Sequence, residues 1–333
     1  MKSPFTGKDM SIQKEWRQLS FRKEKFKVCF HAYKCDETGE QFEDEHLAEL
    51  NYLQLQNQYR AKYSIPFPAE IKSIREKYEL SAVKMSDVLG FGANSYRNYE
   101  AGEIPSESNA RLIQLSADPH EFRKLISLSK AIDGKLLDKT NTRIEKILLE
   151  LKDEKIKSAI ENYLFVEKQA NTLTGFIKPS LDKFAEMVLF FSQELSPMKT
   201  KLNKLLFYAD FLHFKQTGFS MSGVSYKAIQ MGPVPNNFQS LYEYIANNEI
   251  VDIKSIAFTD EIIGEQFVPV VGKQFDSSLF SEVEIQILQS VCDRFRNAST
   301  QEMIDISHQE TAWIDNENTK KTIDYFFAFD LSI

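Results

Sequence analysis

The sequence predicts a mainly α chain of α+β class, assembled from separate modules. Three observations predict it. Residues 69–130 carry a series of short helical patterns, each bounded by capping or glycine signals. Residues 131–175 are charged, with Ile144, Ile147, Leu148, Leu151, Ile156, Ile160 and Leu164 at near-helical spacing. Short β stretches are confined to the first 45 residues and to 251–275.

The elements follow in order. In the first module (1–65), Phe21, Lys23, Lys25 and Lys27 alternate with Arg22, Glu24, Phe26 and Val28, and residues 28–33 continue as a β candidate. Asp36-Glu37-Thr38-Gly39 reads as a turn. Residues 43–63 are helical, with Leu47, Leu50, Leu53 and Leu55. Pro66 and Pro68 end that pattern, because a residue before proline is pushed out of the helical region. The second module (66–130) opens with a helix over 69–78. Ser81 caps the next, which runs through Met85, Val88 and Leu89 and stops at Gly90. A short helix over 93–99 follows, then one from Pro105-Ser106 and another from Asp118-Pro119. Residues 131–178 form a connector expected as a helical hairpin. The last module (179–333) has apolar helices at 181–191 and 199–214, a turn-rich stretch at 219–235, a helix at 238–245, the β candidates of 251–275, and helices at 280–295 and 302–308.

Composition narrows the function. Of 333 residues, 42% are hydrophobic and 27% charged, an ordinary globular balance. The longest apolar stretches, such as 185–191, fall far short of the roughly 20 residues of a membrane span, so no membrane partner is expected. Met1-Lys2-Ser3-Pro4 opens no signal peptide, and three cysteines suit a reducing compartment, so a cytoplasmic location is expected. A net charge of −7 argues against indiscriminate coating of nucleic acid. The charge is uneven, however: basic up to Lys34, acidic from Asp36 to Glu49.

A helix, a Ser-capped helix, a glycine break and a short polar helix are the order of a helix-turn-helix, whose last helix enters the major groove. That helix offers Asn94, Ser95, Arg97 and Asn98 on its polar face, with Tyr96 and Tyr99 for packing. Asn suits adenine, and Arg suits guanine or a phosphate. A small bundle with a solvated polar face fits the same spacing. Ile74-Arg75-Glu76-Lys77 and the run from Leu89 to Gly102 resemble the MqsA/YgiT antitoxin-repressors, which join a zinc module to a helix-turn-helix of the XRE type. The resemblance covers residues 1 to about 126. It implies base reading by Asn94. Asn98 stands where that family has Arg, which moves the base preference toward adenine, and Ala82 stands where it has Gln.

The zinc ligands of that family fall at Ser3, Thr6, Cys35 and Thr38, of which Cys35 alone is a thiol. Hydroxyls are poor zinc ligands, and Cys29, His31 and His46 match no closed site. No metal and no cofactor are expected; Phe5, Trp16, Phe21, Phe26, Phe30 and Phe42 hold the module instead.

Lys201-Leu202-Asn203-Lys204-Leu205-Leu206-Phe207-Tyr208-Ala209-Asp210, with Gly218, Tyr226, Ala228 and Met231-Gly232-Pro233-Val234-Pro235, resemble the SocA-like or Panacea family. Leu202, Leu205, Leu206 and Ala209 form a core stripe that leaves Lys201 and Lys204 on the other side. Gly232-Pro233 is expected as a rigid turn displaying Val234, Asn236 and Asn237. The resemblance implies a toxin-binding domain, with Lys201, Lys204, Gly232, Pro233, Val234 and Asn236 as candidate partner-binding residues. Packing explains the same residues.

The five histidines are scattered and no nucleophile elbow, phosphate-cradling loop or zinc-protease motif occurs, so no catalytic residue is assigned and no enzyme is expected. Asp210 with His213, and His308 with Glu310, are the two polar pairs with acid–base spacing. The expected function is an antitoxin that binds its cognate toxin protein and represses its own operon at operator DNA. It is expected to act as a homodimer, because two half-sites need two recognition helices. The alternatives are a proteolytic adaptor or chaperone-like binding protein, and a stand-alone transcriptional regulator.

Overall fold

A computed structural model describes residues 1–258 and 263–333, apart from the side chains of residues 152 and 154. The fold is mainly helical with small antiparallel sheets, as the sequence predicts. It divides into two compact units. One comprises Met1–Arg17, Lys27–Gln54 and Ile160–Ile333; the other comprises Gln18–Phe26 and Leu55–Ala159.

Strands β1 (Ser11–Phe21), β2 (Glu24–Lys34) and β3 (Gln41–Phe42) form a sheet in that order. The alternation that reads as one pattern over 21–28 is divided by a turn at Arg22-Lys23, with Arg22 at φ 52°. Two residues suffice to reverse an antiparallel pair, and no Gly or Asn marks this turn. Helix α1 (Glu45–Tyr63) follows. Its side-chain amides act as a surrogate strand for β2. Gln54 accepts from the Cys29 N–H and donates to the Cys29 carbonyl, both at 2.9 Å; Asn51 does the same at His31, both at 2.8 Å. Backbone groups that would otherwise be buried without partners are thereby satisfied.

Helices α2 (Pro68–Lys77), α3 (Ala82–Leu89), α4 (Ser95–Glu100), α5 (Glu107–Ser116) and α6 (Pro119–Ser129) form where the local signals place them. Ser81, Ser106 and Asp118 each accept an N-terminal N–H, and Gly90 takes the left-handed conformation at φ 71°. The expected hairpin is instead one helix, α7 (Gly134–Leu164), of 31 residues. No proline or glycine interrupts the sequence after Gly134 before its end, so nothing reverses it. Ile144 and Ile147 of α7 join Ile71, Tyr78, Met85, Tyr96, Ile113 and Phe122 in one core.

In the other unit, α8 (Leu181–Leu195) and α9 (Lys199–Thr217) lead to a hairpin of β4 (Tyr226–Ile229) and β5 (Gly232–Pro235), then α10 (Phe238–Asn247). A separate ribbon of β6 (Val251–Ala257) and β7 (Ile263–Pro269) precedes α11 (Glu282–Phe295), α12 (Thr300–Ser307), α13 (Thr311–Ile314) and β8 (Thr322–Ile323). The second sheet has the order β5-β4-β8. Helix α9 is the centre of this unit, packed by α8, α11, α12 and β5; Leu202, Leu205, Leu206, Phe207, Tyr208, Phe211 and Phe214 are all at 0% exposure. No helix among the described residues is long and apolar enough to cross a membrane.

Candidate functional site

Hydrogen bonds lock α4, the helix expected to read DNA, onto its neighbours. The Ser86 hydroxyl of α3 accepts from the Tyr96 N–H at 3.1 Å, and the Tyr96 phenol donates to the Ile71 carbonyl of α2 at 2.8 Å. Tyr99 accepts from the Asn109 amide of α5 at 2.9 Å. With Tyr96 and Tyr99 buried, the other face of α4 is left outside: Asn94, Arg97 and Asn98 are exposed and Ser95 is half-buried. Asn94 occupies the N-cap position without a side-chain capping bond. Among the described residues no ion pair engages Arg97. The four candidate DNA readers therefore share one short helix and its cap.

Charge is divided between the units. In Gln18–Phe26 with Leu55–Ala159, Lys and Arg outnumber Asp and Glu, so the acidic excess of a chain at −7 lies wholly in the other unit.

The positions that match zinc ligands are brought together. Thr38, Ser3 and Thr6 all hydrogen bond to the Cys35 thiol, and these bonds, Thr38 first, hold it down at about 6. Gly7 and Gly39 each donate their N–H to the carbonyl four residues back, Ser3 at 2.9 Å and Cys35 at 2.8 Å, so two similar loops face one another. One thiol and three hydroxyls do not fit a structural zinc, which takes thiolate and imidazole donors. Hydroxyl-to-sulfur bonds hold the loops where a metal would.

The SocA-like motif residues sit elsewhere than their pattern suggests. Lys204 does not face solvent: it is at 0% exposure, its Nζ donating to the Met231 carbonyl, and burial lowers its pKa to about 7. Lys201 is half-buried and donates to the carbonyls of Arg296 at 3.2 Å and Ala298 at 2.7 Å, at the C-terminal end of α11. The Gly-Pro-Val-Pro run displays nothing; it is β5, paired to β4 with Gly232 opposite Ile229 and Val234 opposite Lys227. Its prolines are tolerated because β5 is the edge of its sheet. Pro233, Val234 and Asn236 are buried, and Asn236 donates to Ser225 Oγ at 2.9 Å. Asn237 donates to the Leu164 carbonyl at 3.0 Å. Gly232, at φ 96°, lies against Lys204 and Ser307. Thus Lys204 and Gly232 meet, while Lys201 and Asn236 reach different parts of the unit.

Neither polar pair with acid–base spacing forms a pair. Asp210 accepts from the Met221 and Ser222 N–H groups (2.9 and 2.7 Å), the Ser222 hydroxyl (2.6 Å) and the Tyr226 phenol (2.7 Å). Burial raises its pKa against those donors. His213 Nδ1 instead bonds the Phe219 carbonyl at 2.8 Å. His308 stacks on Trp313 at 3.8 Å, and Glu310 accepts from Tyr208 at 3.2 Å and the Ser332 hydroxyl at 2.7 Å. The sequence reading missed Trp313, whose indole N–H donates to the Ile229 carbonyl at 2.8 Å and braces the β4–β5 hairpin. Met231 of the turn and Ile314 of α13 are 46% and 49% exposed, and α13 packs on β4 and β5.

Together these features define a two-unit chain with a run of short capped helices in one unit and, in the other, a buried lysine-bearing helix that clamps an edge hairpin. Residues 202–314 match the family described as antitoxin SocA-like, Panacea domain. No curated protein matches the chain.

Proposed function

We propose that this chain is the antitoxin of a toxin–antitoxin pair, holding a toxin protein with its SocA-like unit and repressing its own operon, as a homodimer, with its helix-turn-helix. The match over residues 202–314 carries this reading. Here Lys204 and Gly232 set the hairpin, whose turn exposes Met231, and α13, which packs on that hairpin, exposes Ile314; both are offered as apolar contacts for a partner.

The repressor half rests on the exposed Asn94, Arg97 and Asn98 on a helix fixed by buried tyrosines, within a unit of basic excess. The test is co-expression with the product of the neighbouring gene, read as growth rescue and co-purification. Rescue with a stable complex is expected. A harmless neighbour that forms no complex would overturn the antitoxin reading. Binding of the purified chain to a duplex carrying its own promoter tests repression separately.

A further inference from the structure

The tip of the β1–β2 hairpin belongs to the unit that carries the helix-turn-helix: Gln18–Phe26 clusters with Leu55–Ala159. Several contacts hold it there. Phe21 and Phe26 meet the Tyr59 ring edge-on, at 5.3 and 6.4 Å. Arg22 lies over Tyr59 at 5.0 Å and donates to its hydroxyl at 3.4 Å. The same guanidinium donates at 3.1 Å to the carbonyl of Ile104, in the loop that leaves α4. Arg60 of α1 reaches that loop too, donating to the Gly102 carbonyl at 2.5 Å.

The charge on this tip is one-sided. Its single carboxylate, Glu24, is taken by Lys62 at 2.6 Å and by the Tyr63 hydroxyl at 2.5 Å. Lys23 and Lys25 are exposed, and among the described residues no ion pair engages them. Two ammonium groups, Lys23 on the turn and Lys25 at the start of β2, are thus carried on a hairpin tip braced against the loop after α4.

We propose that this hairpin tip is a wing of the helix-turn-helix, with Lys23 and Lys25 contacting the phosphate backbone of duplex DNA beside the groove that α4 enters. The assignment rests on the DNA-binding reading above. Arg22 is the positioning residue: it ties the wing to the loop at Ile104, so docking of α4 and placement of the two lysines are coupled. Phosphate contacts of this kind add affinity and orientation without sequence information.

The experiment measures affinity of the full chain for a duplex carrying its own promoter region, as a function of salt, for wild type, Lys23→Gln/Lys25→Gln, Arg97→Ala and Lys320→Gln/Lys321→Gln. The last pair removes the same charge from exposed lysines of the other unit. Each lost phosphate contact lowers the slope of log K against log salt by about 0.9, so the wing variant is expected to lose roughly 2 units of slope while Lys320→Gln/Lys321→Gln loses none. If Arg97→Ala weakens binding but the wing variant keeps the wild-type slope, the wing is overturned and the DNA-binding reading stands. If wild type shows no salt-dependent binding to this duplex or to a random one, both fall together. All substitutions are at exposed side chains, and unchanged thermal unfolding shows that a lost slope is not lost folding.

Discussion

Arg75 of α2 forks onto Glu100 at the end of α4, Nε to Oε1 at 2.5 Å and Nη2 to Oε2 at 3.3 Å, and its Nη1 also donates to the Leu80 carbonyl at 2.9 Å. One guanidinium thereby ties α2 to α4 and to the loop between α2 and α3. Glu100 in turn holds the Arg75 pKa above its ordinary value.

Arg75→Ala removes a charge-assisted fork whose side chains are 16% and 14% exposed, leaving Glu100 without its main partner. The expected cost is about 2 kcal/mol of unit stability, read by denaturant unfolding. Arg75→Lys recovers only part of it, because an ammonium cannot fork. A variant as stable as wild type would show the pair to be a surface contact only.

Asn94→Ala and Arg97→Ala change no buried contact, so folding is expected to be unaffected. If Asn94 reads a base, its loss lowers affinity for the true operator by about 1–3 kcal/mol and relaxes selectivity at one position. Arg97→Ala is expected to weaken binding to all sequences alike if it holds a phosphate. Titration of operator and scrambled duplexes separates the two.

Lys204 makes stability depend on pH in a definite sense. Its folded pKa is lowered from 10.5 to about 7 by burial, so between those values the unfolded chain binds the proton and the folded chain does not. Stability therefore rises with pH across this window, by at most about 1.4 kcal/mol per pH unit, and this contribution is lost as pH falls to about 7. Lys204→Met is expected to flatten the rise. Unfolding midpoints of both proteins from pH 7 upward would check it; parallel curves would refute it.

Two glycines with positive φ should differ. A Cβ on Gly232 would lie 2.5 Å from Ser307 Oγ and 2.6 Å from Lys204 Cε, whereas one on Gly90 would meet nothing within 4 Å. Gly90→Ala should cost about 1–2 kcal/mol, from backbone strain alone. Gly232→Ala adds a clash inside the buried clamp and should cost more than that, with loss of partner binding. Comparable unfolding midpoints would mean that the Lys204 side chain yields without cost.

What was legible in the sequence was what the chain states locally. Ser81, Gly90, Ser106 and Asp118 announce helix ends through bonds to residues two to four positions away, so the run of short helices could be laid out in order. Lys204 was misread for a physical reason. A lysine on an amphipathic helix marks the wet face, but α9 is covered on every side, and such a helix has no polar face for periodicity to find. Proline likewise argues against a strand, and only the edge position of β5, a tertiary fact, makes Pro233 and Pro235 acceptable. The hydroxyl cluster at Ser3, Thr6, Cys35 and Thr38 was visible as positions, but its bonds required the two loops to meet. The Arg22 anchor at Ile104 joins residues 82 apart in sequence, beyond the reach of any local signal.

The sheet of β1, β2 and β3 is finished by residues made long after it. His31 of β2 packs edge-on against Phe329 at 4.8 Å, and Lys14 of β1 donates to the Phe329 carbonyl, 315 positions along the chain. Loop-closure entropy must be met before such contacts reward it. During synthesis the hairpin emerges well before the segment around Phe329 that these two contacts need. The unit of Gln18–Phe26 and Leu55–Ala159, whose residues all precede Ile160, is free to fold in the meantime. Translation thus presents one complete unit before its companion can close.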